Sequence, residues 1–169
     1  MKSKKLVFCA VLVCPLMSAF AGEWVLREDG IGPLRVGMRF DQVNKRMDGK
    51  LVHDDLAVQG PPYACELISA PGHPGISLMF VEGVLKRVDV LPDGKATVRG
   101  IAVGDPVSRV SATYPHSGEV KDFYDAREQN ITVRSKDRAL AIQFGTDQGK
   151  VAWLRAGAVK EVNYVEGCL

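Results

Sequence analysis

Two of the four cysteines, the three histidines and one tryptophan set among arginines are the side chains that offer chemistry. Cys65 and Cys168 lie far apart in sequence, which excludes a CxxC redox or zinc motif. A bridge between them would close a loop of roughly a hundred residues and add on the order of 4–5 kcal/mol by chain entropy, less any strain. They read as a structural staple, because nothing beside either cysteine would activate a thiolate. His53, His73 and His116 stand in no HExxH or other short metal-ligand spacing. The run His53-Asp54-Asp55 offers one nitrogen and two carboxylates to a metal, yet a solvated loop explains it better. "GHPG" reads as a turn and "YPHSG" as a helix exit. There is no GxSxG elbow, P-loop or dinucleotide fingerprint. "GIGPLRVG" fails as a phosphate loop because Pro33 lacks the backbone donor that such a loop needs. Glu66 and Asp89 form a carboxylate pair only if strand register brings them together. The expectation is therefore a protein that is not an enzyme, with no metal and no cofactor.

The elements that would position these residues follow from periodicity. "YACELISA" (63–70), "GISLMFVEG" (75–83) and "VLKRVDVL" (84–91) read as strands separated by turns. So do "NITVRS" (130–135), "LAIQFG" (140–145) and "KVAWLRAG" (150–157), and "VKEVNYV" (159–165) reads as a further strand. Ahead of each group comes a similar phrase, "GIGPLRVGMRFDQV" (30–43) and "GIAVGDPVSRV" (100–110). Each runs an apolar stretch into Gly37 or Gly104 and then into helical spacing. Phe40, Val43 and Met47 make the first stripe and Val107 and Val110 the second. Asp105 is placed as N-cap with Pro106 at the first helical position. Gly37 and Gly104 are read as structural, at a sharp turn requiring positive φ.

The predicted fold class is α+β: two tandem repeats, each a helix plus a three-stranded antiparallel meander, sharing one core. Repeat one covers about 30–91, a linker 92–99, and repeat two about 100–165. Residues 22–169 form a single domain. Residues 1–21 read as a signal peptide, with basic Lys2, Lys4 and Lys5, a short apolar run, and "AFA" before cleavage near Ala21–Gly22. A lipoprotein signal on Cys14 is the competing reading. Without the leader, 19 basic residues face 20 acidic ones, a net of −1, whereas the 169-residue chain carries +2. No basic run remains to serve as a nucleic-acid footprint, and no second apolar run would insert into a membrane. Localisation is read as periplasmic or secreted.

On one face of the predicted sheet the apolar residues alternate inward. The other face would carry Met79, Arg87, Arg134, Trp153 and Arg155. A tryptophan among arginines has the composition of an interface anchor, so these five residues are the predicted binding surface. The competing reading is a Trp153 ring merely covered by arginine stems.

"GMRFDQV" followed by a meander resembles the SmpA/OmlA outer-membrane assembly lipoproteins. The tandem arrangement in an exported chain is similar to the β-lactamase inhibitory proteins, and "VNYVEGC" with "GIGPLRVGM" is similar to a group of exported Gram-negative proteins. The matched positions, Gly37, Met38 and Val43 with Gly104 and Val110 in the echo, are architectural, so the resemblance brings no functional residue with it. It implies a non-catalytic periplasmic protein-binding module whose partner is another exported protein, such as a hydrolase or toxin that it inhibits. Two alternatives stay open: a small-ligand binder or enzyme with a site between the repeats, and an envelope-assembly accessory protein.

Overall fold

The computed structural model describes residues 24–53, 64–122 and 128–168. The predicted signal peptide and cleavage point, Asp54 and Asp55 lie outside them. Among the described residues ten strands and three short helices follow in order: β1 (Leu26–Arg27), β2 (Gly30–Ile31), β3 (Leu34–Arg35), α1 (Phe40–Arg46), β4 (Cys65–Ser69), β5 (Ile76–Val81), β6 (Val84–Val90), α2 (Val107–Thr113), β7 (Gly118–Lys121), β8 (Gln129–Arg134), β9 (Leu140–Asp147), β10 (Lys150–Ala158) and α3 (Val159–Val162).

The architecture is mostly β, which corrects the α+β expectation of two helix-plus-meander repeats. One antiparallel sheet of seven strands runs through the molecule in the order β4-β5-β6-β10-β9-β8-β7, and β1-β2-β3 form a second, three-stranded sheet. The helices are only seven, seven and four residues long. Apolar stripes of two or three residues carry a helix for one or two turns, and packing rather than propensity sustains helices so short. The strands dominate because β6 and β10 pair directly, Val90 opposite Leu154 and Val88 opposite Ala156. That pairing makes one sheet of what the sequence divides into two. The segment before Gly37, read as a lead-in to a helix, folds into the small sheet, whose Leu26, Ile31 and Leu34 are buried.

The core lies on one face of the large sheet, here the front. Leu78, Phe80, Val88, Val90, Phe144 and Leu154 meet Val43 and Met47 beneath α1 and Val110 beneath α2. Both helix openings are held alike. Gly37 and Gly104 each adopt φ +91°, and each donates its N–H to a strand carbonyl, Leu85 and Val151 respectively, at 2.8 Å. Asp105 does not cap α2. The cap position is Pro106, and the Asp105 carboxylate instead accepts from the Ala102 N–H at 2.9 Å and from Arg109 at 2.8 Å.

The chain end corrects another expectation. Residues 159–165 do not add a strand. Val159 and Val162, at helical spacing, turn the chain into α3, which packs on the back face of the sheet against β6, β9 and β10. The tail then crosses that face to reach β4, where Cys168 bonds Cys65. A disulfide persists in oxidising compartments, which fits a secreted or periplasmic protein.

Candidate binding groove

The predicted surface occupies the back face, but that face is largely sealed. Met79 is fully buried and Arg87 is 2% exposed, so neither side chain is open to a partner. Strand alternation is right for these residues, and the cover comes from α3 and the tail. Beneath that cover Asp89 is shared by two arginines. Arg87 Nε lies 3.0 Å from Asp89 Oδ2, and Arg155 Nε lies 3.3 Å from Asp89 Oδ1. Each guanidinium also donates to the chain end. Arg87 donates to the Glu161 carbonyl at 2.7 Å and Arg155 to the Tyr164 carbonyl at 2.8 Å. Burial lowers the Arg155 pKa to about 10, opposed by Asp89 and reinforced by Arg87. The group is structural: a buried and a partly buried cation share one carboxylate and need carbonyl dipoles as well.

Trp153 is half-buried. The Arg155 guanidinium lies 4.2 Å over its ring, and the indole covers Gly145, where a Cβ would collide with it. A register shift in β10 between Val151 and Trp153 sends Val151 into the core and Trp153 to the back. Of the five predicted surface residues only Arg134 is exposed.

Arg134 belongs to a different feature, a groove of about 780 Å³ at the end of the sheet. One wall is the exit of α2. Tyr114 donates its N–H to the Val110 carbonyl as the last helical bond, Pro115 stops the helix, and a turn closed by Ser117 N–H to the Tyr114 carbonyl leads into β7. His116 and Ser117 face the groove from this wall. The other wall is the end of β8 and the tight turn after it. The Ser135 hydroxyl donates to Asp137 Oδ1 at 2.6 Å and the Ala139 N–H to the same oxygen at 3.1 Å. These bonds, the Ser135 hydroxyl foremost, hold the Asp137 carboxyl below the usual aspartate range. With Arg138 at φ +62°, the turn fixes Lys136 and Arg138 on the rim beside Arg134. Buried Thr132, whose hydroxyl accepts from Gln143 Nε2 at 3.1 Å, lies deeper in the same wall, and Asn163 lines the groove from beyond α3.

The electrostatics are one-sided. Arg134, Lys136 and Arg138 form no ion pair among the described residues, and no carboxylate lines the groove. Asp137, within the turn, offsets one of the three charges. Cations held on a rigid turn, with hydroxyl donors between them, suit an anionic group, and guanidinium forks suit carboxylate or phosphate oxygens. The sequence singled out Arg134 for its strand face and read "YPHSG" as a helix exit. In sequence, Lys136 and Arg138 stand in "KDR", which has the look of an ordinary solvated turn and gives no sign of a site.

His53, His73, Glu66 and Asp89 are engaged elsewhere. His53 is no solvated loop residue. It stacks on Phe40 at 3.8 Å, and its Nδ1 lies 2.8 Å from Oε2 of the fully buried Glu66. Glu66 points to the front of the sheet, opposite Phe80, and Asp89 to the back, opposite Ser77, so the two carboxylates do not converge. His73 stacks on Trp24 at 3.4 Å, and burial lowers its pKa.

No family model matches the chain. No curated protein matches it. Among solved structures it is similar to an extracellular protein containing a SCP domain from Bacillus anthracis str. Ames, at 12% identity and a TM-score of 0.47, over 95% of this chain and 50% of that one. The chain thus spans half the length of that protein, and a likeness this slight carries neither a fold nor a function across.

Proposed function

We propose that this chain is a non-catalytic binding module, exported by a cleaved leader, that engages an acidic segment of another exported protein through the groove between the α2 exit and the β8–β9 turn. One observation carries the reading: Arg134, Lys136 and Arg138, three cations without ion pairs among the described residues, stand on the rim of a groove that no carboxylate of those residues lines. Fixed charges of one sign accelerate encounter with a partner of the other sign and select against like-charged ones. Inhibition of an exported hydrolase is the form of this function that the resemblance to the inhibitory proteins favours.

The test is calorimetric titration with a glutamate-rich peptide, for the wild type and for a variant carrying Arg134→Gln, Lys136→Gln and Arg138→Gln. All three positions are exposed, so the variant should fold as the wild type does. The peptide should bind the wild type, bind at least tenfold more weakly to the variant, and weaken as salt rises. Equal binding to both proteins contradicts the reading. A small dicarboxylate or inorganic phosphate binding as tightly as the peptide would favour a small-ligand site, which a groove of this volume can also accommodate.

A further inference from the structure

We infer that residues 163–168 form a strap over the back face of the sheet and that the Cys65–Cys168 disulfide is its redox-sensitive clasp. The strap starts where α3 ends and finishes at the clasp on the edge strand β4. Asn163, Val165 and Glu166 are exposed, and both cysteines are only partly buried, so a reductant can reach the bond. The strap lies close on the sheet. Arg155 reaches up to the Tyr164 carbonyl, and Gly167 sits so near Leu67 that a Cβ there would strike it.

What lies on that face is unusual for a surface. Met79 is fully buried yet stands outside the main hydrophobic core. Its register partners are Leu67 on β4 and Arg87 on β6, both on the back. Met79 thus lies between the clasp and α3, on the side of the sheet that the tail crosses.

The chemical step is thiol–disulfide exchange with a dithiol protein of the exported compartment. One thiolate of the dithiol attacks a sulfur of the bridge and displaces the other cysteine as thiolate. The second thiol of the dithiol then resolves the mixed disulfide. The dithiol ends oxidised, and Cys65 and Cys168 end as free thiols after gaining two electrons and two protons. The front core takes no part in this step, so the strap can leave while the fold stays. Leaving uncovers Met79, Leu67 and the guanidinium of Arg155.

Methionine oxidation reads this directly, with dithiothreitol as the reducing probe. The wild type is prepared oxidised, and in parallel reduced and alkylated. A Cys65→Ser/Cys168→Ser variant provides a form without the bridge. Each is treated with hydrogen peroxide, and sulfoxide is followed peptide by peptide. Met79 should oxidise at least tenfold faster in the reduced and variant proteins than in the oxidised wild type. Met47, sealed beneath α1 in the front core, should keep its slow rate in all three. An unchanged Met79 rate overturns the strap. So does a joint acceleration of Met79 and Met47, which would make the bridge a staple of the whole fold.

Discussion

Arg87 donates to the carbonyl oxygen of Glu161 at 2.7 Å, across 74 residues of sequence. The bond ties the middle of the sheet to the last helix and explains why an arginine expected at the surface is buried. Asp89 is the carboxylate that neutralises both this buried guanidinium and the partly buried one of Arg155. Asp89→Asn should therefore destabilise the protein by about 3–5 kcal/mol, the usual cost of leaving buried charge uncompensated. Urea unfolding of the two proteins checks it, and a variant within 1 kcal/mol (about a fivefold change in the folding constant) would remove Asp89 from that role.

Gly145 lies under the Trp153 indole with no room for a Cβ. Gly145→Ala should push the ring outward, break its stacking with Arg155 and shift the Trp153 fluorescence to longer wavelength. The lost cation–π contact should cost about 0.5–2 kcal/mol. Trp24 provides a second emission in the same spectrum, so the comparison is best made in a Trp24→Phe background.

At Gly104 the space is open, and only the backbone objects. A Cβ would meet nothing within 4 Å, while φ is +91°. Gly104→Val should cost roughly 1–3 kcal/mol through strain alone. Gly37, with the same φ and the same open space, should respond equally. A thermal melt of Gly104→Val that overlays the wild type would show that the turn tolerates a side chain.

Asp105 gives a pH dependence with a definite sign. The Ala102 N–H, and after it Arg109, lowers its pKa. The unfolded chain therefore takes up that proton at a higher pH than the folded one, and the stabilisation is lost as pH falls through the folded pKa. Melting temperatures of the wild type and Asp105→Asn should differ at pH 6 and converge towards pH 2. Curves that stay parallel would contradict the assignment.

How much of this was legible depends on the range of the interaction. Whereas β7, a strand of four residues after a helix exit, shows no such pattern, strands β4 to β6 and β8 to β10 announce themselves by alternation and turn residues, and Gly37 and Gly104 by the repeated phrase. The choice of sheet partners did not, because β6 and β10 join through pairings such as Val90 with Leu154 that no local pattern encodes. The small sheet at 26–35 was hidden for another reason: strands of two residues are too short to show a period. The predicted surface failed through one segment. "VKEV" alternates poorly and carries its valines three apart, the signal of a helical turn, and a helix there seals Arg87, whose guanidinium donates to the Glu161 carbonyl. The groove was half visible, since Arg134 lies on a recognisable strand. Lys136 and Arg138 gain meaning only once the Ser135–Asp137 turn holds them beside the α2 exit.

The central claim is that the basic groove is where an acidic partner sits. Amide chemical shifts of the labelled, oxidised protein, followed while a glutamate-rich peptide is added, locate the contact directly. Perturbations confined to residues 113–118, 132–138 and 163, saturating with peptide and fading with salt, are the predicted result. Shifts centred elsewhere, or none at millimolar peptide, would contradict it.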